Sequence, residues 1–122
     1  MFAEFASTFI FVLKGDKIMA RSKTTLKLER DFQRNLIKEL KETYKGCFIT
    51  KLDPNYTQGS PDLLILYKDK WATLECKASA TANQQPNQAY YVNMMNEMSF
   101  SRFIYPENKE EVLHDLQKTF RA

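Results

Sequence analysis

The chain has 122 residues, 43% hydrophobic and 13% aromatic, with a formal net charge of +3. That length and apolar content suit one folded domain with a real core and exclude a disordered chain. Two cysteines without a C-x-x-C pair (Cys47 and Cys76) and a single histidine, His114, exclude a disulfide scaffold and a zinc finger. They make a reducing, cytoplasmic setting the expectation.

The opening stretch, MFAEFASTFIFVLKGDKIMARSK, holds an apolar run from Phe9 to Leu13 that is far too short to cross a membrane. Glu4 is the only charge before it, which makes it a poor signal peptide. Lys14-Gly15-Asp16 can be encoded by a purine-rich sequence resembling a ribosome-binding site, just upstream of Met19. Residues 1–18 are therefore expected to be a non-native or disordered extension, with Met19 the natural start and a single domain over 19–122. From Lys14 to Lys51 there are eleven basic residues against five acidic ones. This cationic third suits a polyanion, most commonly nucleic acid; a solvated helix surface accounts for the same charges equally well.

The spacing of Phe32, Leu36 and Leu40, widened by Leu28, Ile37 and Tyr44, predicts a helix over Thr24–Lys45, ended by Gly46. Glu29 falls on the same face as Phe32 and Leu36, an unusual place for a carboxylate, because burying an unpartnered charge is costly. A strand is expected over Cys47–Leu52, then a polar loop over Asn55–Ser60, and a strand over Asp62–Tyr67. After the turn Lys68-Asp69-Lys70, Trp71–Ala78 alternates: Ala72, Leu74, Cys76 and Ala78 face one way, and Trp71, Thr73, Glu75 and Lys77 the other. So short a turn makes these two strands antiparallel neighbours. Beyond the small, polar loop Ser79–Gln85, a helix is expected over Pro86–Met98, opened by its proline. A short aromatic strand over Phe100–Tyr105 and a helix over Pro106–Phe120 complete the order αβββαβα. The reading is one α/β domain.

Pairing the second and third strands brings Asp62, at the start of one, toward Glu75, at the far end of the other. Two carboxylates converging near water repel unless a divalent cation holds them, and hard oxygen ligands suit Mg²⁺ or Mn²⁺. The Cys76 backbone carbonyl is a plausible extra ligand. Lys77, on the face of Glu75, is placed to orient an attacking water and offset developing charge. The plainer account makes Asp62 a turn cap and Glu75–Lys77 a surface ion pair, and E-x-K alone favours it. The combination of Pro61-Asp62, E-x-K and the inward Glu29 shifts the weight toward a site. His114, beside the apolar stripe of the last helix, is expected on the surface, and Cys76 in the core.

Pro61-Asp62, twelve intervening residues and then Glu75-Cys76-Lys77 resemble the motif of the PD-(D/E)xK nuclease superfamily, whose restriction-endonuclease-like core has the same element order. The G-S-P-D form and the inward glutamate are most similar to archaeal-type Holliday-junction resolvases and stand-alone VRR-NUC nucleases of phages. The resemblance implies a mixed central sheet flanked by helices and Mg²⁺-dependent hydrolysis of DNA, with Mn²⁺ as a substitute. Asp62 and Glu75 would then be metal ligands, assisted by Glu29, and Lys77 the catalytic lysine. Gln88 corresponds to a glutamine often found early in the second helix, with Tyr91 one turn on. Lys27, Arg30, Arg34, Lys38, Lys51 and Tyr56 are candidate DNA contacts, and Ser79 a candidate phosphate contact. A phage-encoded member would act in the cytoplasm of a bacterial host. Lacking an added recognition domain, such an enzyme would select DNA by shape: branches, flaps or junctions. A junction resolvase would require a homodimer. The rivals are a catalytically silent DNA-binding or accessory protein of the same fold and, third, a structural protein.

Overall fold

The computed structural model describes residues 22–122; the expected extension and the proposed start at Met19 lie outside them. The elements run α1 (Lys23–Thr43), β1 (Phe48–Lys51), β2 (Leu63–Tyr67), β3 (Lys70–Cys76), α2 (Gln88–Met98), β4 (Ser101–Ile104) and α3 (Lys109–Phe120). The order αβββαβα is as expected; three ends (Tyr67, Met98 and Phe120) fall where expected and the others move by one to three residues.

Each end has a local cause. Ser22 caps α1, its hydroxyl oxygen accepting from the Thr25 N–H at 3.0 Å, so the helix begins at Lys23. Tyr44 closes α1, and Gly46, at φ +87°, turns the chain into β1. Pro86 does not open α2. It precedes Asn87, whose φ of +69° and ψ of −3° are those of the third residue of a type II turn. Proline's fixed φ suits the second position of that turn as well as a first helical turn, and the left-handed Asn87 decides between them. Leu28, expected in the apolar stripe of α1, is 55% exposed. Burial on this helix begins in earnest only with Phe32, Leu36 and Leu40.

The strands form one mixed sheet in the order β1-β2-β3-β4. β1–β2 and β2–β3 are antiparallel, and β3–β4 is parallel, with α2 as the crossover between them. Leu63 and Ile65 on β2 pair with Leu74 and Ala72 on β3, and Cys76 pairs with Ile104 on β4. All face the same side, where Leu36 and Leu40 of α1 and Val112, Leu116 and Phe120 of α3 complete the core. Tyr44, Tyr67 and Phe120 close its end, with ring centroids 5.1 to 5.5 Å apart. The other side of β3 and β4 packs against α2, through Val92 and a Thr73 hydroxyl that lies 2.7 Å from the Ser101 hydroxyl and 3.6 Å from the Met95 sulfur. β3 is thus covered on both faces, and its far end, with Lys77 just beyond it, stays buried where the motif residues gather. No helix of the described residues is long and apolar enough to cross a membrane.

Candidate active site

The β2–β3 register fixes the first contact. Leu63 pairs with Leu74, so the next step along the two strands sets Asp62 opposite Glu75. Asp62 Oδ2 accepts from the Cys76 backbone N–H at 3.0 Å, which ties the aspartate across the end of the hairpin. That bond leaves the Cys76 carbonyl outside the Asp62 contact. Beyond Cys76 the chain continues beside β4, with the Lys77 N–H donating to the Ile104 carbonyl at 2.9 Å.

Glu75 and Lys77 project together on the α2 side, as the alternation of β3 requires. They are no surface ion pair: Glu75 is 2% and Lys77 3% exposed, with Nζ 3.8 Å from Oε2. Gln88, the first residue of α2, bridges them. Its Nε2 donates to Glu75 Oε2 at 2.7 Å, and its Oε1 accepts from Lys77 Nζ at 2.7 Å and from the Gln85 N–H at 2.8 Å. Lys77 Nζ also donates to the Asn83 carbonyl at 3.2 Å. A buried ammonium is tolerable only when its donors find acceptors, and here a side-chain amide and a loop carbonyl supply them.

Glu75 Oε1 is the exception. It is buried and, among the described residues, has no hydrogen-bond partner. Burial, then the neighbouring Asp62 charge, pushes the Glu75 carboxyl up to about 8; Lys77 pulls it down, and Glu29 adds to the rise. Burial likewise pushes the Cys76 thiol far up, assisted by Asp62 and Glu75, with the Gln33 side chain opposing. Cys76 is a core residue with no thiolate chemistry. Glu29, half-buried on α1, is close enough for its charge to act on both Glu75 and Cys76. The structure therefore joins Glu75, Lys77 and Gln88 by direct contacts, ties Asp62 to the adjoining Cys76 N–H, and brings Asp62 and Glu29 near enough for their charges to act on Glu75.

The candidate DNA contacts lie elsewhere. Lys27, Arg30, Arg34 and Lys38 are exposed on α1, and Lys27 and Arg34 each reach Asp31 at 2.8 Å. Lys51 is exposed at the end of β1, and Tyr56, in the loop before Asp62, is 91% exposed. The Ser79 hydroxyl sits 3.3 Å from that of Thr81. His114 is exposed on α3. Asn83, Gln85 and Gln33 complete the surroundings without having been singled out from the sequence. Asn83 and Gln85 act through backbone atoms, which no side-chain pattern reveals. Gln33 carried a usable signal, being four residues beyond Glu29 and hence on the same helix face.

No group of three or more His, Cys, Asp or Glu side chains that could hold a metal ion is gathered among the described residues. The carboxylates nevertheless fit a hard cation: a buried carboxylate oxygen without a donor, beside a second carboxylate, is a charge arrangement that a divalent ion would relieve. Comparison with family models, with curated proteins and with solved structures returns no match.

Proposed function

We propose that the protein is a divalent-metal-dependent DNA nuclease of the PD-(D/E)xK type, with the restriction-endonuclease-like version of its α/β fold, acting on branched, flap or junction DNA. The observation that supports this most is the buried Glu75–Gln88–Lys77 bridge with Glu75 Oε1 left unpartnered next to Asp62. A purely structural ion pair satisfies its oxygens; one kept desolvated and incompletely bonded is a reservoir of free energy that function explains better.

In this reading Asp62, Glu75 and the Cys76 carbonyl would hold Mg²⁺, or Mn²⁺ in its place, with Glu29 contributing directly or through water. A bound cation would supply positive charge to the phosphate under attack and would lower the pKa of a water. The chain's own part is positional. Gln88 and the Asn83 carbonyl hold the Lys77 ammonium by Glu75, so that its charge is fixed before a phosphate arrives. The chemistry adds water across one P–O bond: the new bond joins water oxygen to phosphorus, the O3′ bond breaks, and the water proton is released as O3′ takes one up. A 5′ phosphate and a 3′ hydroxyl result. Asp62 ties the ends of the two strands together through the Cys76 N–H, and the burial of Lys77 excludes bulk water from one side of the site.

The exposed cations Arg30 and Lys38, with Lys51 and Tyr56, are the contacts for the DNA backbone. Cutting a four-way junction would call for a homodimer; a flap would not. Incubation with linear, flap and four-way-junction DNA in Mg²⁺, Mn²⁺ or EDTA tests the proposal. Cleavage that needs metal and is lost in Asp62→Ala is expected. If neither metal supports cutting of any substrate, or Asp62→Ala cuts like wild type, the protein is instead a silent DNA-binding or accessory member of the fold.

A further inference from the structure

Three turns of this chain share one construction. Each is closed by the N–H of its fourth residue donating to the carbonyl of its first, and each has its third residue at positive φ, the type II pattern. They are Tyr44–Cys47, with a bond of 3.0 Å and Gly46 at φ +87°; Thr57–Ser60, with 3.2 Å and Gly59 at +91°; and Gln85–Gln88, with 3.3 Å and Asn87 at +69°. The second and third meet tip to tip. A Cβ at position 59 would lie 2.7 Å from Asn87 Cβ, 2.8 Å from the Asn87 carbonyl carbon and 2.8 Å from the Pro86 oxygen. Two of those atoms are backbone, so no side chain fits unless one turn moves away from the other. At Gly46 a Cβ would meet nothing within 4 Å.

The contact takes its meaning from the residues to which each turn leads. Thr57–Ser60 runs through Pro61 directly to Asp62. Gln85–Gln88 ends on the glutamine that bridges Lys77 and Glu75, and it grips that residue twice: through its backbone N–H, and through the Gln85 N–H that holds its side-chain oxygen at 2.8 Å. A displacement of Pro86 and Asn87 is therefore carried into the Gln88 amide.

We propose that Gly59 and Asn87 are positioning residues: the contact of the two turns clasps the Asp62 loop to the start of α2 and sets the Gln88 amide between Lys77 and Glu75. Glycine is required at 59 for this close approach as well as for its φ. The consequence for catalysis rests on the nuclease reading; the placement of Gln88 does not.

The test compares Gly59→Ala with Gly46→Ala, which imposes the same backbone strain without the collision, and with the double variant Gly59→Ala/Asn87→Gly. The double variant removes the Cβ facing position 59 and frees the backbone behind it. Side-chain amide resonances of Gln88, assigned by their disappearance in Gln88→Glu, are read in ¹⁵N-labelled protein without metal or DNA. Cleavage is followed separately, as kcat and KM. Gly59→Ala is expected to shift the Gln88 resonances and lower kcat about 10²-fold with KM unchanged, the scale of a displacement near 1 Å. Gly46→Ala should do neither, and the double variant should move both readouts back toward wild type. The proposal is overturned if folded Gly59→Ala leaves the Gln88 resonances in place, if Gly46→Ala moves them equally, or if the double variant brings no recovery. Should Gly59→Ala fail to fold, recovery of folding in the double variant supports the clasp and its absence overturns it. A wild-type protein that cuts no DNA sinks the nuclease reading and leaves the amide shift to decide the clasp. An active wild type with an unmoved amide in Gly59→Ala sinks the clasp alone.

Discussion

The two faces of β3 are buried to the same degree and built from opposite materials. On one, Ala72, Leu74 and Cys76 meet the apolar stripes of α1 and α3. On the other, Thr73, Glu75 and Lys77 meet α2 through hydroxyls, an amide and charges. The apolar face stabilises by removing surface from water, without directional demands. The polar face must satisfy every donor and acceptor merely to break even, and at Glu75 Oε1 it does not. A strand that needed only stability would carry the first material on both sides. Burial alone therefore does not separate scaffold from site; the chemistry of what is buried does.

Breaking the polar face from one side should have the largest effect. Lys77→Met leaves the Glu75 carboxylate buried without its cation, which is expected to cost about 3–5 kcal/mol of stability at pH 9. The loss should shrink at lower pH, where the carboxyl takes up a proton, and most of it should be recovered in Lys77→Met/Glu75→Gln. Urea titrations of the three proteins at pH 6 and pH 9 check this. An equal loss at both pH values would mean that the pair is not the origin of the effect.

Leu74→Ala is the matching change on the apolar face. Leu74 is fully buried in the main cluster, so its truncation is expected to cost about 2–5 kcal/mol at any pH. Cleavage per folded molecule, assayed in the cold, should stay close to wild type, whereas Lys77→Met should be inactive at every temperature. If Leu74→Ala lost activity in proportion to Lys77→Met, the two faces would not be functionally distinct.

Next in size is the response to pH and metal. With its folded pKa near 8 against an ordinary value of 4.5, Glu75 holds a proton in the native protein that the unfolded chain has released. Stability from this group is complete below 4.5 and is lost as pH rises toward 8, with a slope of up to about 1.4 kcal/mol per pH unit. Metal-free protein should therefore melt at lower temperature at pH 8 than at pH 5.5, and Glu75→Gln should flatten the dependence. Mg²⁺ at 100 times its Kd should restore about 2.7 kcal/mol at pH 8, and should do nothing for Glu75→Gln if that residue is a ligand.

The architecture was legible in the sequence because the elements announce themselves by period and punctuation. The stripe Phe32-Leu36-Leu40, the alternation of Trp71–Ala78 and the two-strand hairpin led directly to the helix, the strand and the register that sets Asp62 against Glu75. What stayed hidden depends on tertiary packing. Pro86 opens a helix or a turn with the same φ, and only the folded chain shows Asn87 turning left-handed against Gly59. Glu75 and Lys77 look like surface charges until α2 covers them. The bridging role of Gln88 is set by a helix start that periodicity locates only to within a turn, and the Asn83 carbonyl carries no side-chain signal at all.

The smallest effects on the protein itself are expected far from β3, on the cationic face of α1. Arg30 and Lys38 are exposed and contribute to no core, so Arg30→Ala and Lys38→Ala should leave the melting temperature unchanged. If the protein is the DNA nuclease proposed above, their consequence should appear only in DNA affinity. Each lysine or arginine that neutralises a phosphate releases a counterion, so removing one should reduce the slope of log affinity against log salt by about 0.9 on duplex DNA, equally for all sequences. Lys27 and Arg34 start from a different state, since both already engage Asp31, and DNA must compete with that carboxylate for them. Lys27→Ala should thus change the slope less than Arg30→Ala, while Asp31→Asn, which releases both cations, should strengthen binding at low salt. Binding isotherms at four or five salt concentrations measure all four variants. If none of them alters the slope, the basic residues of α1 are a solvated surface and not a DNA contact.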